Sequence, residues 1–313
     1  MAVHTARPAS VGLAPRGRRL RRGWATPYLF ILPFALLFVA FFLVPILYAV
    51  DQSLYRTQRS GLGLGAPTTA FNGLGNYADV LHDGAFFAGI GRMLLFGIVQ
   101  VPVMLILALA LALLLDTARL RFKSFFRLAF FVPYAIPGVI AALLWGYLYN
   151  GEISPIVKGL HQIGFSQIDF LGAGTVLWAM ANIVTWEWTG YNMLIIFSAL
   201  QAIPVELYEA ARIDGCTGLG VARHVKIPLV APALVLTAIF SIIGTLQLFT
   251  EPQVLTSISN NISSSYTPNL YAYNTAFGNN NYYYAAALAV VLALVTFVFS
   301  FGFLRLTQRQ AGV

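Results

Sequence analysis

The side chains that most often carry out metal or thiol chemistry are few and scattered in this 313-residue sequence. The four histidines, His4, His82, His161 and His224, never recur at the His-x3-His or His-Glu-x2-His spacing that places two zinc ligands on one helix face. The single cysteine, Cys216, excludes an intrachain disulfide and a cysteine cluster. The sequence therefore predicts no metal centre, and it contains no clustered nucleophile and base of the kind an enzyme needs.

The lysines likewise argue against nucleotide hydrolysis. A phosphate-binding loop of the type Gly-x4-Gly-Lys-Ser/Thr needs a glycine directly before its lysine. The three lysines, Lys123, Lys158 and Lys226, instead follow phenylalanine, valine and valine. We therefore expect that this polypeptide does not hydrolyse ATP by itself.

One carboxylate, Glu187, interrupts an apolar run. A carboxylate near the middle of a membrane costs about 2.5 kcal/mol or more, so Glu187 is expected to face the interior of a helix bundle or a water-filled cavity. Aromatic rings suit the C–H faces of a sugar, and amides suit its hydroxyls. Residues of both types lie near Glu187 in the sequence: Asn182, Trp186, Trp188, Tyr191 and Asn192. Gln247 and Trp145, in other apolar runs, are further candidates. An interfacial aromatic belt, with Glu187 paired to another subunit, fits the same pattern, and Gln247 fits a helix-packing hydrogen bond equally well.

The scaffold that must position these residues is a membrane protein. Hydrophobic residues make up 58% of the chain and charged residues 10%, against roughly 45–50% and about 25% in soluble domains. Six apolar runs reach the about 20 residues with which a helix crosses a bilayer: 23–50, 93–115, 128–148, 171–202, 227–250 and 285–304. The sequence predicts an all-α integral membrane protein with six transmembrane helices.

Basic residues set the orientation of these six helices. With the N-terminus inside, fifteen of the 19 Lys and Arg residues fall on the cytoplasmic side, which places both termini in the cytoplasm. Long uncharged stretches separate these basic residues, so the net charge of +8 does not indicate nucleic acid binding, and membrane lipid is the expected contact. Residues 251–284 form an outer loop rich in Asn, Ser and Tyr, which suits contact with a protein or a neutral polyol, or is merely a solvated loop.

The cytoplasmic segment 205–230 is predicted to be a short helical hairpin. Pro204 favours a helix start, Glu206 and Glu209 lie in the first turns where the helix dipole favours anions, and Gly215 favours a left-handed end. A second short helix is expected to stop near Pro228, because proline removes a hydrogen-bond donor.

This hairpin resembles the EAA loop of ABC importer permeases, the element that docks into a cleft of the ATPase subunit. The resemblance rests on Glu209-Ala210-Ala211, Asp214-Gly215, and Ile227-Pro228 with Pro232. Other segments, among them Gly73–Tyr77 and Pro133–Trp145, are similar to the carbohydrate-uptake branch, the maltose-type and glycerol-phosphate-type permeases. The similarity extends from about residue 26 to residue 309.

The resemblance implies a MetI-like permease fold in a bacterial cytoplasmic membrane and the import of a sugar, a di- or oligosaccharide or a derivative. It implies a second homologous permease subunit, two ABC ATPase subunits and an extracytoplasmic solute-binding protein as partners. ATP and magnesium would bind to the ATPase, with no cofactor on this chain and no enzymatic role for it. The residues that would couple it to the ATPase are Glu209, Ala210, Ala211, Asp214, Gly215, Ile227 and Pro228.

The predicted organisation has four parts. Residues 1–26 are a disordered basic cytoplasmic tail, 27–85 the first transmembrane helix and outer loop, 86–307 the permease core with five helices, and 308–313 a cytoplasmic tail. The alternative function is an ion-coupled secondary transporter, which would need paired intramembrane carboxylates, and Glu187 alone supports it weakly.

Overall fold

The computed structural model describes residues 25–58, 66–117, 121–164 and 169–311, so residues 1–24 of the predicted tail lie outside the described residues. The helices are, in chain order, α1 (Ala25–Phe38), α2 (Val44–Gln52), α3 (Gly75–Leu81), α4 (Gly84–Asp116), α5 (Lys123–Ala135), α6 (Gly138–Tyr149), α7 (Pro155–Gln162), α8 (Val176–Gln201), α9 (Val205–Ile213), α10 (Gly218–Val221), α11 (Ile227–Leu246), α12 (Thr250–Leu255), α13 (Pro268–Tyr273) and α14 (Tyr282–Ala311). Three π-helical turns join neighbouring helices: Val39–Leu43, Ala222–Lys226 and Asn274–Gly278.

The predicted helical class is confirmed, with one small exception. Strands β1 (Tyr55–Gln58) and β2 (Thr68–Phe71) form an antiparallel pair in which Arg56 lies opposite Ala70. The hydroxyl of Thr69 lies 2.8 Å from that of Tyr283, so this pair contacts the start of α14. From the sequence alone, this segment is expected to be part of an outer loop.

The number of membrane-spanning segments agrees with the prediction when bent helices are counted. Within the described residues, four helical segments are long and apolar enough to cross a membrane: Pro27–Gln52, Gly84–Asp116, Gly218–Leu255 and Tyr282–Thr307. Two bent pairs, α5 with α6 and α8 with α9, raise the number to as many as six. The described residues separate into two compact units at Ala49 and Val50, and the first unit is a single helical segment whose side chains are largely exposed.

The third predicted span is not one helix. The run 128–148 divides into α5 and α6, which meet at an angle of 94°. The break lies at Ile136 and Pro137, where Ile136 has an extended backbone with ψ 129°. A residue before proline is pushed out of the helical region by the proline ring, and this steric effect explains the break.

The expected stop of the second hairpin helix near Pro228 is wrong. The chain continues helically from α10 through the π turn into α11, with Pro228 in the first turn of α11. The N–H of Ile227 bonds to the carbonyl of Ala222, five residues earlier, so the hydrogen-bond register changes directly before the residue that has no N–H. The wider turn therefore lets the helix pass the proline.

Segment 251–284, which the sequence predicts to be an outer loop, is folded, and it is not merely a solvated loop. It contains α12, α13 and a π turn, and it contributes buried side chains to the largest apolar cluster, among them Leu255, Ile262, Tyr266 and Leu270. Thr267 caps α13 and donates its hydroxyl to the carbonyl of Leu248 at 2.9 Å. Because most residues of this segment are polar, its few buried apolar residues are not apparent from its composition.

In the second unit, helix α8 packs against both α4 and α5. Small residues allow helix backbones to approach closely in membranes, where van der Waals packing drives helix association. Gly190 on α8 is the tightest example, because a methyl group there would lie 1.8 Å from the carbonyl oxygen of Phe130 on α5. No side chain fits at this position without moving one of the two helices.

Candidate functional site

The hairpin between α8 and α11 has the predicted left-handed glycine. Helix α9 ends at Ile213, and Gly215 follows with φ of +83°. The N–H of Gly215 bonds to Arg212 O at 3.0 Å, and that of Cys216 bonds to Ala211 O at 2.9 Å. These two bonds complete a Schellman motif, which satisfies the last carbonyls of α9 and turns the chain back toward α10.

Large apolar side chains project from the tip of this hairpin. Ile213 is 86% exposed and Leu219 is 81% exposed, at the two ends of the turn between α9 and α10. The predicted coupling residues divide by burial: Glu209, Ala210, Asp214, Gly215 and Pro228 are exposed, Ile227 is half-buried, and Ala211 is buried. The arrangement is an exposed apolar tip with acidic residues beside it, which suits binding to an apolar cleft of another protein.

Glu187 lies in the middle of α8 and is only 4% exposed. Its carboxyl group lies close to that of Glu251, which is 7% exposed in the first turn of α12. A methyl group on Gly138 would lie 3.7 Å from Oε1 of Glu187 and 3.5 Å from Cγ2 of Thr250. Two helix breaks, the one before α6 and the one between α11 and α12, therefore come together at Glu187.

Sequence reasoning missed Glu251, because the residue stands at the end of an apolar run and was assigned to the outer loop. Its position directly after an uncharged stretch was the available signal. Sequence reasoning also missed Gln100, which lies inside a run that contains no charged residue and is 2% exposed on α4. A search for amides as well as charges within apolar runs would have found it.

A cavity of about 230 Å³ opens beside Glu251 between α4, α8 and α11. Its walls bring together four of the predicted residues, Trp188, Tyr191, Asn192 and Gln247, with the unpredicted Gln100 and Glu251. The side-chain amide of Asn192 donates to Trp188 O at 3.0 Å, and Tyr134 of α5 stacks on Tyr191 with ring centroids 4.6 Å apart. Within the part of the chain that the structure describes, Oε1 of Gln100 has no hydrogen-bond partner.

The size of this cavity limits what it holds. Small-molecule pockets commonly measure about 300–1,000 Å³, so a cavity of 230 Å³ accommodates only part of an oligosaccharide. The aromatic faces and amides on its walls are the groups that bind the C–H surfaces and hydroxyls of a sugar.

The other predicted aromatic and amide residues do not line this cavity. Trp145 and Trp186 meet edge to face at 5.7 Å, and Trp145 lies 5.4 Å from the ring of Tyr149. Asn182 donates to the hydroxyl of Tyr149 at 2.8 Å, and Tyr149 donates to Ala179 O at 3.2 Å. These contacts hold α6 against α8.

Comparisons with known proteins agree on one family. The family model described as "Binding-protein-dependent transport system inner membrane component" matches residues 104–311. The chain is similar to a lactose transport system permease protein of Rhizobium radiobacter, at 35% identity over 89% of this chain and 91% of that protein. It is also similar to an arabinooligosaccharides transport system permease protein of Bacillus subtilis, at 30% identity over 92% of this chain and 90% of that protein.

A solved structure has the same fold. A chain of a bacterial alginate ABC transporter, in complex with an alginate pentasaccharide-bound periplasmic protein, matches with a TM-score of 0.75 at 18% identity. The match covers 94% of this chain and 99% of that one.

Proposed function

Because this chain belongs to the family of binding-protein-dependent transport system inner membrane components, we propose that it is a membrane-spanning subunit of a sugar importer. The observation that carries the proposal is the 35% identity with a lactose permease over 89% of the chain. The aromatic and amide walls of the cavity support a di- or oligosaccharide, or a derivative, as the solute.

The energy for this import comes, in our proposal, from separate chains. Two ABC ATPase subunits bind ATP and magnesium, and one of them receives the apolar tip of the hairpin, Ile213 and Leu219, in its cleft. This chain pairs with a second homologous permease and has no enzymatic role. The exposure of two large apolar side chains on a hairpin is what supports a protein contact there.

The hairpin is attached to both helices that form most of the cavity wall. Helix α8 carries Trp188, Tyr191 and Asn192 and leads into α9 through a bend of 74°. Helix α11 carries Ser241 and Gly244 of the same wall and continues from the hairpin without a break. If the hairpin moves as a rigid body when the ATPases close on ATP, α8 and α11 tilt and the cavity changes the side to which it opens.

The topology belongs to the proposal as well. Both termini lie in the cytoplasm, which puts the hairpin and the ATPases on one side and the folded segment 251–281 on the other. That outer segment is the proposed contact for the extracytoplasmic binding protein. The bacterial cytoplasmic membrane is the location that these assignments require.

One observation supports the ion-coupled alternative, and another argues against it. Glu187 and Glu251 form the paired intramembrane carboxylates that such a transporter needs. Membership in the binding-protein-dependent family argues for ATP as the energy source. The pair is therefore proposed as part of the solute pathway, and the experiments below compare the two energy sources.

The test is uptake of labelled lactose, arabinobiose and maltose by cells that express the complete importer. Gly215→Trp and Glu209→Trp should abolish the uptake that the wild type shows while leaving normal amounts of protein in the membrane. Gly174→Trp is the matched control, because this exposed outer glycine has open space around it. Uptake that survives both hairpin substitutions would favour ion coupling, and a wild type that accumulates none of the three sugars would contradict the proposed solute class.

A further inference from the structure

The inner ends of several helical elements meet at one ion pair. Asp116, the last residue of α4, pairs with Lys226, the residue directly before α11. Their side chains are 8% and 16% exposed, respectively. Among the residues that the structure describes, this is the only contact between oppositely charged side chains.

Two further contacts tie neighbouring elements to this pair. Gln201, the last residue of α8, donates its side-chain N–H to Oδ1 of Asp116 at 2.7 Å. The ammonium group of Lys226 lies 5.0 Å from the ring centroid of Tyr208 on α9, and Tyr208 donates its hydroxyl to Leu200 O at 3.3 Å. The pair thus connects the hairpin, at α9 and the π turn, to the inner ends of α4 and α8.

Helix electrostatics do not explain the acidic member of the pair. The C-terminus of a helix carries partial negative charge and favours cations, yet α4 ends on an aspartate and has no basic residue in its last turn. A largely buried ion pair contributes little net stability, whereas removing one partner leaves an uncompensated charge. The best-attested use of such a pair is to select one arrangement of the packed elements.

We propose that Asp116 and Lys226 are positioning residues that make α4 move together with the hairpin. The inference rests on the proposed function, because the movement in question is the one that ATPase closure imposes on α9 and α10. Helix α4 carries Gln100 and Met104 of the cavity wall. With the pair intact, a shift of the hairpin reaches α4 through a direct contact as well as through the packing of α4 against α8 and α11. Without the pair, only the packing remains.

The experiment uses the complete importer, purified through a tag on this chain and reconstituted in liposomes. Three quantities are measured: the amount of ATPase that copurifies, the rate of ATP hydrolysis, and uptake of whichever labelled sugar of the panel above the wild type accumulates. The neutral double variant Asp116→Asn/Lys226→Met leaves no buried unpaired charge, so it should fold. The exchanged variant Asp116→Lys/Lys226→Asp restores the pair and places the cation at the end of α4, where the helix dipole favours it.

We expect the neutral variant to keep its ATPase and its hydrolysis, and to lose about tenfold in sugar moved per ATP, the size of a typical coupling between sites. The exchanged variant should recover most of that loss. The single variant Asp116→Asn should be more defective than the neutral double variant, because it leaves Lys226 without its partner. The control Glu152→Gln/Lys158→Met, on exposed outer residues, should match the wild type.

Three results would overturn the inference. The first is wild-type transport per ATP in the neutral variant. The second is loss of ATPase from that variant, which would mean that the pair only supports docking. The third is an exchanged variant as defective as the neutral one. A wild type that moves no sugar when supplied with ATP would instead contradict the proposed function, so the two failures are distinguishable.

Discussion

The hairpin between α8 and α11 and the cavity beside Glu251 are built in opposite ways. The hairpin is one continuous stretch whose shape depends on backbone hydrogen bonds around Gly215, and its largest apolar side chains are exposed. The cavity collects residues from Gln100 to Glu251 on four helices, and its shape depends on close packing and on two helix breaks. Substitutions at the tip of the hairpin should therefore change transport and spare folding, whereas those near the cavity should affect folding first.

The largest effect should come from the packing that supports the cavity. Gly190→Ala places a methyl group 1.8 Å from the backbone of α5, so the two helices must separate. We expect a loss of at least about 3 kcal/mol of stability, the upper end of overpacking costs, with little folded protein in the membrane. Gly91→Ala on α4 is the matched control, because open space surrounds that glycine. If the Gly190 variant reaches normal amounts in the membrane and has normal thermal stability, the expectation that substitutions near the cavity affect folding first would be wrong.

The next effect should appear at the tip of the hairpin. Ile213→Ser/Leu219→Ser removes two exposed apolar side chains that would each contribute about 1.5–3 kcal/mol if buried in a cleft. We expect a normal melting temperature and about a hundredfold weaker ATPase binding, measured with the purified chain and its ATPase. The control Leu81→Ser/Ile163→Ser changes two similarly exposed residues of the outer side. Unchanged ATPase binding would show that the tip is not the docking element.

A smaller effect is expected from the carboxylate pair. Glu187→Gln replaces a carboxyl oxygen with an amide nitrogen where α6, α8 and α12 meet. The loss of one strong hydrogen bond at this position would change the rate of transport by about tenfold. Sugar uptake should fall by about that factor while the assembled complex remains intact. Glu152→Gln on the exposed outer surface serves as the control. Normal assembly with unchanged uptake would exclude Glu187 from the pathway.

The smallest effect concerns Asp83, which directly precedes α4. Partial burial alone would raise the pKa of this carboxyl, but hydrogen bonds from the hydroxyls of Tyr284 and Tyr271 and from two backbone N–H groups lower it below its usual value. Since the pKa is lowered in the folded state, the ionised form adds stability above the unfolded pKa of about 3.9. That contribution disappears as the pH falls through the lowered value.

Asp83→Asn should therefore lower the melting temperature at neutral pH by roughly 2–4 °C. It should also make the melting temperature less sensitive to acidification from about pH 7 to about pH 3. Asp79→Asn, on the exposed side of α3, is the control and should behave as the wild type. An equal sensitivity to acid in the Asp83 variant would mean that other groups dominate the acid response.

The hairpin could be predicted from the sequence because its determinants are local. Pro204 and Gly215 fix the start and the end of α9 through their own backbone preferences, whatever lies around them. The six apolar runs were also local signals. The exception within the hairpin is Pro228, where a π turn that no residue pattern marks allows the helix to continue.

The cavity could not be predicted to the same extent because its partners are distant in sequence. Glu187 met Glu251, 64 residues later, only after the break before α6 and the break before α12 had brought their helices together. Trp145 and Trp186 are aromatic candidates of the same type as Trp188. Trp186 nevertheless packs against Trp145, and Trp145 against Tyr149, away from the cavity walls. Residue type indicated which side chains were candidates, and only the packing decided which ones met.

The most direct test of the account compares energy sources in proteoliposomes with labelled lactose as the probe. This chain, reconstituted with its second permease, its ATPases and its binding protein, should accumulate the sugar only when ATP is supplied on the ATPase side. The purified chain alone should accumulate none, with or without a gradient. Accumulation by the chain alone in response to a proton or sodium gradient would contradict the claim that its transport is driven through the hairpin.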